Sequence, residues 1–234
     1  RVLAPDFPSF GASEAPRWRY RPGDLATWIR AFSDTVGAGK PSLIGNSLGG
    51  RVALEVGMTM PETADRLVLL CPSPAFRRFR EFAPLLRLLP PELLTAPVRL
   101  PHRVIVTIIR TFFADPERLP RPWYDSAADE FTRVMGDYRH RRAFFAAMRQ
   151  IYLDEPYGED GFWDRLPALG TPSLFVWGDR DWLVPSAFAE HVMRALPHAE
   201  SVVLPDCGHV PQFEHPDATT NLIRTFLTQA ERLY

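Results

Sequence analysis

Short apolar runs and longer helical patterns alternate along most of the chain. Runs rich in Val, Ile and Leu fall at residues 1–4, 42–45, 66–70, 173–177 and 201–204. Such continuous apolar character marks strands buried on both faces, as in a parallel sheet. Between the runs, helical patterns cover residues 24–36, 50–60, 185–196 and 216–230. Asp24 suits an N-cap, and Pro185 and Pro216 suit first-turn positions. The alternation predicts an α/β fold with a mostly parallel sheet flanked by helices.

Residues 72–161 break this rhythm. They are dense in proline, carry "EFAPLLRLLPPELL", "RVIVTIIRTFF" and "RRAFFAAMRQIYL", and hold no convincing strand. They read as a helical cap inserted between two strands. The chain then divides into core at 1–71, cap at 72–161 and core again at 162–234.

Composition narrows the function classes. The 234 residues, 46% hydrophobic and 24% charged, suit one globular domain or a core with an insertion. A formal net charge of −1 leaves no footprint for nucleic acid or an anionic membrane. Lys40 is the only lysine, which points to the codon bias of a GC-rich genome and weakens arginine clusters as ligand signals. Two cysteines, Cys71 and Cys207, form no disulfide framework, so a reducing, cytoplasmic compartment is the default. The longest apolar stretch is interrupted by Arg103 and Arg110 and cannot span a bilayer.

The chemistry begins at "LIGNSLGG", residues 43–50. A serine between Gly45 and Gly49, after an apolar strand and before a helix, fits a strained turn that lifts its hydroxyl above the sheet edge. The N–H of Leu48 then points at an oxyanion formed there. A nucleophilic serine needs a base, and the base needs an orienting acid. "WGDRDWLVP" follows the strand "SLFVW", and "LPDCGHVPQFEHP" follows "SVVL". Serine, acid and histidine thus arrive in order, each in a loop after a strand. Either Asp179 or Asp181 can serve as the acid.

These motifs resemble those of the α/β-hydrolases that carry a helical cap. "APDFPSFGAS" is similar to the family's Asp-x-x-Gly-x-Gly-x-Ser loop, "GNSLGG" to its nucleophile elbow, "WGDRDWLVP" to its acid loop and "CGHVPQFEHP" to its histidine loop. The resemblance implies Ser47 as nucleophile, His209 as base and Asp181, by its place in the acid loop, as the acid, with Asp179 as runner-up. It implies no cofactor and no metal. Two departures stand out: Ser9 replaces a usual glycine, and the family's first strands with their His-Gly loop, source of a second oxyanion donor, have no counterpart upstream of Arg1. The sequence is therefore read as N-terminally truncated.

The expected activity is hydrolysis of small carboxylic esters with an apolar part, through an acyl-enzyme. The elbow also resembles that of meta-cleavage-product hydrolases, which cut carbon–carbon bonds in ring-fission dienoates. There Asn46 and cap arginines would meet substrate, although Val210 stands where that group usually has tryptophan. A non-catalytic ligand-binding member of the fold is the alternative of another class. Homo-oligomerisation stays open. His215 reads as a helix entry before Pro216, and Cys207 as a buried thiol. His102, His140, His191 and His198 read as surface or cap residues. The arginines at 77, 78 and 80 and those at 139, 141 and 142 read as solvated helix faces, and "RVIVTIIRTFF" as packing of cap onto core.

Overall fold

The computed structural model describes residues 1–14, 16, 18–75, 95 and 100–229. Four parallel strands form its sheet: β1 (Leu43–Asn46), β2 (Leu67–Leu70), β3 (Ser173–Gly178) and β4 (Glu200–Leu204), side by side in that order. The pairing is in step, with Ile44 beside Val68, Val68 beside Leu174 and Leu174 beside Glu200. All four C-termini therefore lie at one edge, where loops of an open α/β sheet build their sites.

Alternation along β2 and β3 explains their unbroken apolar sequences. Leu67, Leu69, Phe175 and Trp177 enter a core on one face, packed with α1 (Pro22–Thr35) and α2 (Leu48–Thr59). Val68, Leu70, Leu174 and Val176 enter a second core, closed by Phe226, Leu222 and Ile223 of α9 (Pro216–Thr228). Strands covered on both sides have no polar face to present.

The helix starts show which local rules held. Pro216 is the first residue of α9, as its fixed φ favours. Asp24 is not the N-cap of α1. Arg21 holds that position, Pro22 follows, and the Asp24 carboxylate, one turn in, accepts from the Arg21 N–H at 3.1 Å. Pro185 sits in a turn before α7 (Phe188–Ala195), accepting from the Phe188 N–H.

Residues 1–4 form no strand. Among the described residues nothing pairs with the outer edge of β1, so no ladder is available to them, and Val2 is exposed. Ser9 adopts φ +66°, a left-handed conformation that costs a side chain about 1–2 kcal/mol. Its buried hydroxyl is hydrogen-bonded to that of Tyr20, which donates to the Pro16 carbonyl.

Between β2 and β3 the described chain is helical: α3 (His102–Arg110), α4 (Arg121–Gly136), α5 (Tyr138–Leu153) and the short α6 (Phe162–Arg165). The insertion is bolted to the core through charge. Arg51 of α2, fully buried, pairs with Asp154 just past α5 and lies 3.7 Å from Glu55, which Arg165 contacts at 2.7 Å. The Arg51 guanidinium also stacks 4.0 Å from the centre of the Phe162 ring. Burial lowers the pKa of Arg51, and the two acids partly offset this.

Candidate active site

Ser47 connects β1 directly to α2 and carries φ +53° and ψ −111°. A non-glycine residue held there is strained by the tight strand-to-helix turn. The turn is locked by Ser47 N–H donating to the Leu70 carbonyl at 2.9 Å and by Ser73 N–H donating to the Ser47 carbonyl at 3.1 Å. A Cβ on Gly45 would lie 2.3 Å from the Gly49 carbonyl carbon, so strand and helix meet through Gly45. Gly49, expected to relieve the same crowding, faces open space, and the second tight position is Gly50, against Pro72 and the Gly45 carbonyl. Leu48 opens α2, where an N–H has no carbonyl a turn earlier to bind.

The acid loop separates its two aspartates cleanly. Asp181 Oδ2 lies 2.7 Å from His209 Nδ1, and Oδ1 accepts from Leu183 and Val184 N–H groups, both at 2.9 Å. Asp179 instead accepts from the Cys207 N–H at 3.2 Å, tying the acid loop to the histidine loop. Asp181 and His209 are both buried. A carboxylate pinned by two N–H groups has one oxygen left for the imidazole, which fixes the ring tautomer with Nε2 as the free acceptor.

Ser47 Oγ lies 3.3 Å from Ser73 Oγ, its hydrogen-bond partner among the described residues. The Asn46 side chain is engaged by three neighbouring groups. Its amide donates to the Leu70 and His209 carbonyls at 2.9 and 3.0 Å, and its oxygen accepts from Gln212 at 3.4 Å.

Sequence reasoning missed three groups at this edge. Cys71, one residue beyond β2, has φ +42° and a thiol whose sulfur falls within 4.8 Å of donor atoms of Asp181 and His209. Burial pushes this thiol far up in pKa, and Asp181 adds to the shift. A proton-retaining thiol beside an already hydrogen-bonded dyad makes a poor metal cradle, so this cluster reads as dyad plus thiol. Ser73 is the second group. Glu214, buried five residues past His209, is the third, accepting from Gly208 and Ala114 N–H groups at 2.7 Å each. The available signal was position: Cys71 and Ser73 directly follow a strand, and Glu214 is an acid in an apolar loop.

The remaining candidates are engaged elsewhere. His215 is the N-cap residue of α9 and contacts Arg118 and the Asp206 carbonyl. His140 pairs with Asp137, and Arg141 donates to the Thr95, Met135 and Gly136 carbonyls. His102 lies 3.2 Å from Asp129. His191 lies against the Trp163 ring. Cys207 is buried, with a pKa pushed up by burial and by Glu214 to about 12. The arginines at 77, 78 and 80 lie outside the described residues. In "RVIVTIIRTFF", Ile105 is buried while Val104 and Ile108 are exposed, and the segment's end docks on the site: Phe112 lies 6.0 Å from the His209 ring and stacks on Trp182.

No helix among the described residues is long and apolar enough to cross a membrane. The chain is 26% identical over 235 residues to a 2-hydroxy-6-oxo-6-phenylhexa-2,4-dienoate hydrolase of Burkholderia cepacia, covering 97% of this chain and 77% of that one. It is 27% identical over 235 residues to a 2-hydroxy-6-oxononadienedioate/2-hydroxy-6-oxononatrienedioate hydrolase of Klebsiella pneumoniae, covering 98% and 77%. A solved bacterial membrane phospholipase A superposes with a TM-score of 0.73 at 26% identity, covering 95% of this chain and 68% of that one. A model of the alpha/beta hydrolase family matches residues 1–222. The chain belongs to the alpha/beta hydrolase family and is a hydrolase.

Proposed function

We propose that this hydrolase cleaves small carboxylic esters with an apolar part, using Ser47 as nucleophile, His209 as base and Asp181 as orienting acid. The observation that carries the reading is the 2.7 Å contact between His209 and an Asp181 carboxylate pinned by two N–H groups, on the same sheet edge as the strained Ser47. Ser47 Oγ turns from Ser73 toward His209 Nε2, gives up its proton and attacks the substrate carbonyl carbon. The carbonyl oxygen takes the negative charge and binds the Leu48 N–H. His209 passes the proton to the leaving alkoxide, then takes one from water as the water oxygen bonds the acyl carbon; the bond to Ser47 Oγ breaks and His209 returns the proton to that oxygen. Asp181 holds the imidazole in the productive tautomer and stabilises its charged form.

The described helices between β2 and β3 serve as the cap over this site, and the aromatic rings of Phe112, beside His209, and of Trp182, stacked on Phe112, favour an apolar substrate part. The protein acts in the cytoplasm without cofactor.

The second reading is carbon–carbon cleavage of a ring-fission dienoate, supported by the activity that the Burkholderia and Klebsiella relatives' names carry. Against it stand Val210 after the histidine and the inward-bonded Asn46 amide. A fluorophosphonate probe tests the shared mechanism: it labels the protein, and Ser47→Ala abolishes labelling. A folded sample that stays unlabelled sinks the serine mechanism and leaves a non-catalytic binding protein. Turnover of p-nitrophenyl butyrate without bleaching of a 2-hydroxy-6-oxo-6-phenylhexa-2,4-dienoate solution supports the ester reading; the reverse pattern replaces it with carbon–carbon cleavage.

A further inference from the structure

The histidine loop is fastened to the insertion by two short bonds, and the buried side chain that makes one of them also makes a third bond within the loop. Glu214 ends α8 (Pro211–Glu214) and is 5% exposed. One carboxylate oxygen accepts from the Gly208 N–H and the other from the Ala114 N–H, each at 2.7 Å. The His209 N–H donates to the Phe112 carbonyl, also at 2.7 Å. The Trp182 indole N–H, next to Asp181, donates to the Thr111 carbonyl at 2.6 Å. Four successive residues after α3, Thr111 to Ala114, thus form a strap across both loops that carry the acid and the base. The approach is so close that a Cβ on Gly208 would lie 2.4 Å from the Phe112 carbonyl oxygen.

We propose that Glu214 is a positioning residue for His209: by holding Gly208 and Ala114 on opposite oxygens, it makes the strap and the histidine loop one rigid unit. The inference rests on the Ser47–His209–Asp181 reading. Charge-assisted bonds from buried N–H groups are among the strongest a loop can make. The His209 backbone is flanked by one of them at Gly208 and by the Phe112 bond at its own N–H. With Glu214 removed, the strap keeps only its bonds to His209 and Trp182, and the imidazole loses the fixed main chain from which it projects. Misplacement of a reacting group by about 1 Å costs on the order of 10²-fold in rate.

Glu214→Gln tests this, because it keeps the volume and one acceptor but turns an NH2 group onto a facing N–H. The expected result on p-nitrophenyl butyrate is a kcat lower by roughly 10–100-fold with KM little changed. Glu214→Ala falls further. In the intact protein, NMR should show the downfield His209 Nδ1–H resonance broadened or moved. The Gly208 and Ala114 amides should lose exchange protection together. Gly208→Ala, whose Cβ would lie 2.4 Å from the Phe112 carbonyl oxygen and 2.9 Å from Glu214 Oε1, pushes strap and carboxylate off the histidine loop together and should produce the same loss of kcat and the same change at His209. The proposal is overturned if Glu214→Gln lowers the melting temperature while kcat and the His209 resonance stay as in the parent. It is also overturned if only one of the two amides loses protection. A parent protein that never labels with fluorophosphonate defeats the serine mechanism, and the NMR and exchange results still decide whether Glu214 holds His209 in place.

Discussion

Truncation of Arg51 should be among the most damaging single changes to stability in this chain. Its guanidinium is fully buried between Asp154, Glu55 and the Phe162 ring. Arg51→Ala leaves two acids facing a hole, with Arg165 still on Glu55 but on the far side of the lost charge. Breaking one partner out of a buried ion pair costs about 3–5 kcal/mol. Losing a desolvated guanidinium–aromatic contact accounts for up to about 2 kcal/mol of such a total. Asp154 keeps part of its side chain in water and can rehydrate, which favours the lower end. For a chain of this size that corresponds to a fall in Tm of roughly 6–20 °C. Urea unfolding followed by tryptophan fluorescence measures it as a lower midpoint at unchanged slope. Arg51→Met restores the volume without the charge, so the gap between the two variants separates packing from electrostatics. The double variant with Asp154→Ala should cost less than the sum of the singles, by about 1 kcal/mol or more. A loss below about 1 kcal/mol for Arg51→Ala, the range of an exposed pair, would refute the buried-bolt reasoning.

Two further outcomes follow from the site. Asp181→Asn should lower turnover by about 10⁴-fold by releasing the imidazole tautomer. Asp179→Asn, which keeps an acceptor for the Cys207 N–H, should leave turnover within a few-fold; equal losses would show that the two acids are wrongly assigned. Both thiols should resist Ellman's reagent at pH 8 until the chain is denatured, since only the thiolate reacts. Cys207 ionises near 9.0 when unfolded and at about 12 when folded, so between those values the native state holds a proton the unfolded chain has lost. Stability therefore falls as pH rises above 9, by at most about 1.4 kcal/mol per pH unit for each thiol. Native-state labelling at pH 8 as fast as in urea would contradict this.

The strands were legible because burial on both faces leaves a continuous apolar signature: β2 and β3 begin or end within one residue of the runs read from sequence. Residues 1–4 carry the same signature and still form no strand, since a run specifies burial and a strand needs a neighbour to pair with. Ser47, Asp181 and His209 stood out because the chain delivers each at a strand end, a property of local order. Glu214, Ser73 and Cys71 did not, because their roles come from juxtaposition. Glu214 meets Ala114 across 100 residues, and Arg51 meets Asp154 across 103, so only docking of the insertion reveals either pair. The swap of Gly49 for Gly50 at the tight turn has the same origin: spacing marks a glycine-rich elbow, and Pro72 from another strand end selects which glycine is crowded.

The strap enters its two short hydrogen bonds with the histidine loop through main-chain atoms, the Phe112 carbonyl and the Ala114 N–H. The Phe112 ring adds contacts to His209 and Trp182, and positions 208 and 214 are held by the close approach itself. The base is thus mounted on two chain segments at once: whatever shifts the backbone of residues 112–114 shifts the main chain from which the imidazole projects.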